Sequence, residues 1–273
     1  MDKNPVKEKL ARGEASVGTW VSGGDASVVD ILARAGLDWL NLDFEHNPID
    51  VSTAVNCLRA MGGTDTVPFA RVPWNDPVWI KRVLDIGFLG VVVPDVKSPD
   101  EAGAAVRASR YRPDGVRGIG SSRGALMYGS DYFAKANDLV TVVCMIEDAN
   151  AVKQIDDILA VPGIDVAFIG PNDLANSLGV PLGLDNQHPD HIAAVQKVVD
   201  AGKRAGVPVG IHCADGAEVA RRIEQGMQWM PIASEARVLK WGFEQQLKMV
   251  KDGLAAGEPS KANGKSEPAK TFY

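Results

Sequence analysis

Ionisable side chains follow several apolar runs of the sequence at the point where each run ends. The runs read "DWLNL", "VPFA", "TVVCMI" and "VAFIG", and each continues directly or within a few residues into charged groups. These groups are Asp43, Glu45, His46, Arg71, Glu147 and Asp173. Burying such groups costs free energy and folding does not require them, so their repeated placement at the ends of apolar runs indicates an active site.

Glu147 and Asp173 form a candidate metal site. Two carboxylates supply hard oxygen ligands for Mg²⁺ or Mn²⁺ and leave positions open for substrate and water. The alternative is structural, with Asp173 as a helix N-cap and Glu147 on the surface. No Cys and His cluster at zinc-ligand spacing competes with this carboxylate pair.

Arg71 is a candidate for binding an oxyanion or an enolate. Its guanidinium is permanently charged and presents a rigid fork of hydrogen-bond donors. The alternative is a structural ion pair with Glu45. The two roles are compatible, because such a pair would hold the guanidinium in place.

His46 is the candidate for proton transfer, since histidine is the residue type best suited to exchange a proton near neutral pH. A histidine base needs an orienting partner, and Asp85 in "VLDIGFLG" is the candidate for this role. His188 and His191 fall in a polar segment and are interpreted as loop and helix-start residues. His212 ends an apolar run, but no neighbouring residue assigns it a task.

Short Val-, Ile- and Leu-rich runs alternate with amphipathic stretches, a pattern typical of parallel strands covered by helices. Eight strands are predicted, over residues 16–21, 38–42, 67–70, 90–93, 140–146, 165–169, 207–211 and 228–232. Helices are predicted over residues 25–36, 51–61, 76–87, 98–110, 151–159, 191–205, 214–225 and 235–250. Eight such units predict an α/β fold of the (β/α)8 TIM-barrel type. A dinucleotide-binding sheet is disfavoured, because no glycine fingerprint follows the first strand.

Composition sets the domain organisation and the class of partner. The 273 residues carry a net charge of -6 with no clustered basic stretch, which argues against nucleic acid. No secretion signal or spanning apolar run is found, so we expect a cytoplasmic protein without a membrane partner. Residues 1–251 are predicted to form a single barrel domain, and residues 252–273 a polar, flexible tail. The three cysteines are expected to be free thiols.

Several ordered blocks of the sequence resemble the HpcH/HpaI aldolase family of metal-dependent class II pyruvate aldolases, over about residues 6–250. The blocks are "GTW" at 18–20, "AGLDWLNLDFEH" at 35–46, "ARVPWNDPVWIKRVLDIGFLGVVVP" at 70–94, "YRPDGVRGIG" at 111–120, "IEDANAV" at 146–152 and "FIGPNDLANSLG" at 168–179. The resemblance implies a homo-oligomer, a hexamer built as a trimer of dimers. It also implies a divalent ion, Mg²⁺, Mn²⁺ or Co²⁺, bound by Glu147 and Asp173.

The resemblance further implies roles for individual residues. His46, paired with Asp85, would assist proton transfer, and Arg71 would contact the keto oxygen of the substrate. Asp43 and Glu45 would support these groups. Substrate binding is assigned to Trp20, Arg71, Gly170, Pro171, Asn172 and Asp173, with the backbone at 170–173 holding the carboxylate of pyruvate.

The implied reaction is reversible cleavage of a 4-hydroxy-2-oxo acid to pyruvate, or a close analogue, and an aldehyde through a metal-bound enolate. One alternative is a CoA-ester lyase of the same superfamily, and another is Schiff-base chemistry at Lys97. A third is a non-catalytic 2-oxo-acid-binding protein. Its best support is Met145, where the family commonly has Gln; Asp95 also departs from the family, which has an apolar residue there.

Overall fold

The structure is a computed structural model that describes residues 3–120 and 123–255. Eight parallel strands form one sheet in the order β7-β6-β5-β4-β3-β2-β1-β8. They are β1 (Ser16–Val21), β2 (Trp39–Asp43), β3 (Val67–Arg71), β4 (Gly90–Val93), β5 (Thr141–Ile146), β6 (Val166–Ile169), β7 (Val209–Ile211) and β8 (Trp229–Ser234). A parallel bridge between Cys213, just after β7, and Ile232 of β8 joins the two strands at the ends of this order. The predicted (β/α)8 barrel is confirmed.

One helix precedes the first strand, and the others follow the strands around the barrel. They are α1 (Pro5–Ala11), α2 (Ala26–Ala33), α3 (Val51–Ala60), α4 (Pro77–Asp85), α5 (Pro99–Ser109), α6 (Arg123–Tyr128), α7 (Tyr132–Leu139), α8 (Ala149–Lys153), α9 (Ile155–Leu159), α10 (Pro171–Leu178), α11 (Pro189–Ala205), α12 (Gly216–Glu224) and α13 (Glu235–Ala255). Side chains cap several N-termini; Asp25, Asp50 and Asp76 each accept from backbone N–H groups of their first turn. These caps satisfy donors that have no partner inside the helix.

The helix predictions were incomplete at four places. Helices α1, α6, α7 and α10 were not predicted, because each is short and lacks a long amphipathic pattern. The single helix predicted over 151–159 was wrong: the backbone leaves helical geometry at Gln154, which separates α8 from α9.

Alternation along the strands separates the inside of the barrel from its helical cover. On β2, Leu40 and Leu42 belong to an apolar cluster with residues of helices α2 to α5, whereas Trp39 belongs to a second cluster with aromatic residues of other strands, Phe69, Phe168 and Trp229. Trp39 stacks on Trp229 with ring centroids 3.9 Å apart. This stack needs glycine opposite it, since a Cβ at Gly18 would lie 2.1 Å from the Trp39 ring. We therefore assign Trp39, and with it Asp43 four residues later, to the inward face.

The described residues divide into two compact units, of which the first ends at Glu235 and the second begins at Ala236. The first contains the barrel strands, and the second begins within α13. Helix α13 extends to Ala255, beyond the boundary predicted at residue 251. The remainder of the predicted polar tail, residues 256–273, lies outside the described residues. Within the described ranges, no helix is both long and apolar enough to cross a membrane.

Candidate active site

The carboxyl ends of the strands carry the predicted charged groups to one rim of the barrel. Asp43 and Arg71 are opposite each other in the register of β2 and β3. Glu147 directly follows β5, and Gly170 directly follows β6. Because parallel strands end at the same face, side chains from these four strands meet above the barrel interior.

A pocket of about 240 Å³ lies at this rim. Its lining residues are Trp20, Ser22, Asp43, Arg71, Met145, Phe168, Gly170, Pro171, Asn172, Asp173, Leu184, His212 and Ser234. The pocket contains every residue to which substrate binding was assigned. Glu45, His46 and Glu147 are outside this lining, and the contacts of Glu45 and Glu147 place both close to it.

Arg71 is held by two carboxylates. Its Nε and Nη2 donate to the two oxygens of Asp43 at 2.8 and 2.7 Å, and Nη1 lies 2.9 Å from Oε2 of Glu45. The guanidinium also lies over the Trp20 ring, 4.5 Å from its centroid. A bidentate pair fixes both the position and the plane of the guanidinium. Since a guanidinium has five N–H donors, two remain beyond these three contacts.

Asp43 and Glu45 respond differently to the same arginine. Burial alone would raise the pKa of Asp43, but the hydrogen bonds and charge of Arg71 outweigh it, and the pKa lies below its ordinary value. For Glu45, burial raises the pKa and the more distant Arg71 charge offsets it only partly. Asp43 is thus the permanent anion that fixes Arg71, as its proposed supporting role requires.

Glu147 is a buried carboxyl beside the pocket. Burial raises its pKa to about 7, and the charges of Asp173 and Glu45 add to this effect. Its Oε1 accepts the backbone N–H of Asp95 at 2.7 Å. Asp95 has a positive φ of 55°, so its backbone occupies the left-handed region to make this contact. A Cβ at Gly170 would meet Oε2 of Glu147 at 2.3 Å, so a larger residue there would displace this carboxylate.

Glu147 and Asp173 suit a hard divalent cation. The charge of Asp173 contributes to the raised pKa of Glu147, and a cation bound between two such carboxylates would offset their repulsion. Among residues 3–120 and 123–255, no group of three or more His, Cys, Asp or Glu side chains is placed to hold a metal ion. Glu147 and Asp173 would supply two oxygen ligands to such an ion, and substrate and water would fill its other coordination positions.

The raised pKa of Glu147 predicts a pH-dependent stability of the metal-free protein. A carboxyl that binds its proton more tightly when folded loses stability as pH rises from its unfolded pKa near 4.5 towards about 7. Glu147→Gln removes this loss. In urea unfolding with EDTA, we expect the variant to be more stable than wild type by roughly 3 kcal/mol at pH 8 and by less than about 1 kcal/mol at pH 5.

Asp148→Asn is the matched control for this measurement, because it makes the same charge change one residue away. Asp148 is the N-cap of α8 and accepts from Asn150, a role that asparagine also performs. A pH 8 stabilisation of equal size in both variants would contradict the assignment to Glu147.

The predicted pairing of Asp85 with His46 is not found within the chain. Asp85 ends α4 and accepts from Nη2 of Arg117 at 2.8 Å. Because α4 leads into the amino end of β4, its last residue lies at the opposite pole from the ends of the strands. His46 lies at the rim with its side chain 63% exposed, and its Nε2 is 3.7 Å from Oε2 of Glu45. Glu45, rather than Asp85, is the carboxylate beside it.

Lys97 lacks the environment of a Schiff-base nucleophile. Its Nζ donates to Asp95 at 2.7 Å, and this hydrogen bond raises the pKa of the ammonium. A nucleophilic lysine needs the opposite shift, towards the neutral amine. The charge that Asp95 adds at this position is thus used in an ion pair with Lys97.

Three polar pocket residues were missed or left without a role. Ser22 follows β1, Ser234 ends β8, and His212 follows β7, so all three obey the strand-end rule that located the charged groups. The signal was weak because a serine after a strand is common in loops. Leu184 was not predictable, since its loop is tied to the rim by a bond from Gly183 N to Oδ1 of Asn172.

Comparison with known proteins identifies the family of the chain. Residues 16–240 match the model of the HpcH/HpaI aldolase/citrate lyase family. A 5-keto-4-deoxy-D-glucarate aldolase of Salmonella arizonae is 38% identical over 244 residues, which cover 89% of this chain and 94% of that protein. A family member from Burkholderia cenocepacia superposes with a TM-score of 0.86 at 37% identity, covering 91% of this chain and 100% of the other. For an HpcH/HpaI aldolase of Desulfitobacterium hafniense the values are 0.83 and 31%, with coverages of 90% and 96%.

Proposed function

The chain belongs to the HpcH/HpaI aldolase/citrate lyase family and is a carbon-carbon lyase, and we propose that it is a divalent-metal-dependent aldolase acting on a 4-hydroxy-2-oxo acid. The products are pyruvate and an aldehyde. The observation that carries this proposal is the Arg71 guanidinium, locked by Asp43 and Glu45 at a pocket that also presents Asp173.

The proposed chemistry breaks the bond between C3 and C4 of the substrate. The 4-hydroxyl loses its proton, its oxygen becomes the aldehyde carbonyl, and the electron pair of the broken bond moves to C3 and the 2-keto oxygen. Arg71 donates to that oxygen as its negative charge develops. A divalent ion held by Glu147 and Asp173 would add Lewis-acid polarisation of the 2-oxo acid. Protonation at C3 then gives pyruvate.

Binding and proton transfer are proposed for the residues around Arg71. The start of α10 presents backbone N–H groups and the positive end of the helix to the pocket, which suits the carboxylate of pyruvate. Pro171 at the first helical position lacks an N–H, so the donors come from the residues that follow. His46 takes the proton of the 4-hydroxyl, and Glu45 stabilises the resulting imidazolium.

We propose a deoxy keto sugar acid as the substrate class, with 5-keto-4-deoxy-D-glucarate as the first compound to test. The support is the name of a relative that matches 89% of the chain. Counted from its keto end, this diacid is a 4-hydroxy-2-oxo acid. Its cleavage gives pyruvate and an aldehyde that carries a hydroxyl and a carboxylate on the carbon next to the carbonyl.

The test of the proposal is deuterium exchange into the methyl group of pyruvate, followed by NMR. We expect exchange with added Mg²⁺, Mn²⁺ or Co²⁺ and none after EDTA treatment. Release of pyruvate from 5-keto-4-deoxy-D-glucarate, measured with a coupled dehydrogenase, then tests the substrate. Absence of exchange with all three metals would refute the aldolase proposal.

His46→Gln is expected to slow aldol cleavage by about a hundredfold, the ordinary contribution of a general base. The amide keeps hydrogen bonding but cannot accept the proton at neutral pH. Stability should be unchanged because the side chain is exposed. The measurement is kcat for cleavage beside the urea midpoint. His188→Asn, at the N-cap of α11, is the control and should retain full activity. A rate loss of less than threefold in His46→Gln would exclude His46 as the base.

We also propose that the chain forms a homo-oligomer. Helix α13 carries exposed large apolar side chains, which in a lone chain would cost free energy in water. They are Val238, Leu239, Trp241, Phe243, Leu247, Met249, Val250 and Leu254. Light scattering coupled to size exclusion should give a mass that is a multiple of 29.1 kDa. A mass of one chain at micromolar concentration would refute the proposal.

A further inference from the structure

Three pocket residues form a polar wall that the proposed reaction does not use. Ser22, His212 and Ser234 follow or end strands β1, β7 and β8, which are neighbours around the barrel. The groups of the proposed reaction come instead from β2, β3, β5 and β6. The pocket thus has a charged side, with Arg71 and the carboxylates, and a side that offers two hydroxyls and one imidazole.

His212 is positioned by contacts on two sides. Its ring meets the Trp20 ring edge-on, with centroids 5.7 Å apart, and its backbone N–H donates to Ile169 O at 3.3 Å. Trp20 in turn lies under Arg71. The His212 imidazole therefore packs against the same Trp20 ring that the Arg71 guanidinium lies over. The His212 side chain is half-buried.

Ser22 is fixed by a buried carboxylate. Oε1 of Glu235 accepts from the backbone N–H of Ser22 at 2.6 Å and from that of Gly23 at 2.7 Å. Glu235 is only 9% exposed and directly follows Ser234. One side chain therefore ties the loop after β1 to the end of β8, so the positions of both serines are linked. Because the positions of these serines are fixed, their side chains can hydrogen-bond to a substrate hydroxyl that lies at one defined place in the pocket.

We propose that His212, together with Ser22 and Ser234, is a specificity-determining residue that selects aldehydes with a hydroxyl on the carbon next to the carbonyl. This inference rests on the proposed aldolase function. Pyruvate is assigned to the charged side, so the aldehyde portion occupies the remaining polar side. A pocket that hydrogen-bonds a substrate hydroxyl discriminates against the analogue without it, because the analogue displaces water from the polar side chains without forming that hydrogen bond.

The test uses glycolaldehyde and propanal as acceptors for pyruvate, two aldehydes with the same number of non-hydrogen atoms that differ in this hydroxyl. Wild type is expected to favour glycolaldehyde by about tenfold or more in kcat/KM. His212→Leu should reduce the ratio about tenfold, His212→Asn should keep part of it, and Ser234→Ala should reduce it about threefold. His188→Asn is the control and should leave the ratio unchanged.

Deuterium exchange into pyruvate tests the proposed aldolase function separately from the role of His212 in aldehyde selection, because exchange needs no aldehyde. It should stay within about twofold of wild type in His212→Leu, as expected for a residue that contacts only the aldehyde. An unchanged aldehyde ratio with exchange intact would overturn the role of His212 and leave the aldolase proposal standing. Loss of exchange in this variant would also overturn it, since His212 would then serve the pyruvate half-reaction. No exchange in wild type would refute both.

Discussion

Glu147→Gln is expected to lower the rate of pyruvate methyl exchange by about a thousandfold, equivalent to roughly 4 kcal/mol of transition-state stabilisation. Glutamine keeps the size of the side chain and an oxygen that can accept the N–H of Asp95. It removes the negative charge, which is what the cation requires. The measurement is the exchange rate by NMR at saturating Mn²⁺, together with metal affinity by calorimetry.

The expected stability of this variant makes the result interpretable. Since the buried charge of Glu147 destabilises the metal-free fold at pH 8, the inactive variant should be more stable than wild type in EDTA. Lost activity then cannot be attributed to unfolding. Asp148→Asn should keep both metal affinity and exchange. An exchange rate in Glu147→Gln within tenfold of wild type would show that the metal site lies elsewhere.

Arg71→Met is expected to abolish measurable exchange and to destabilise the fold by about 3–5 kcal/mol, because it leaves the buried Asp43 and the half-buried Glu45 without their cation. Arg71→Lys should retain most of the stability, since it keeps the charge. Exchange should still fall about a hundredfold, because an ammonium cannot reproduce the bidentate fork to Asp43. Urea unfolding and NMR exchange measure the two effects.

A double variant separates the structural role of Arg71 from its chemical role. Asp43→Asn combined with Arg71→Met removes the buried anion as well as the cation, so part of the lost stability should return. Activity should not return, because no donor faces the developing enolate oxygen. Arg59→Lys, on the exposed side of α3, should change neither quantity. Recovery of exchange in the double variant would refute a direct role for Arg71.

The rim of charged groups was predictable from sequence because it depends only on local order. Apolar runs of strand length, alternating with amphipathic stretches, specify parallel strands, and parallel strands end at one face. Asp43, Arg71 and Glu147 lie at or just past the ends of such runs, on the inward side set by two-residue alternation. The position of these groups at the strand ends, and on the inward face, does not depend on the angle or the distance between the strands.

Partner choice and electrostatics were decided only by the tertiary structure. Asp85 was paired with His46 from the sequence, but its chain position at the end of α4 places it at the other pole, with Arg117. Which carboxylate lies closest to Arg71, and how far the pKa of Glu147 rises, depend on distances across the barrel and on burial. Coulomb and desolvation energies vary steeply with both, and neither is encoded in the spacing of residues along one strand.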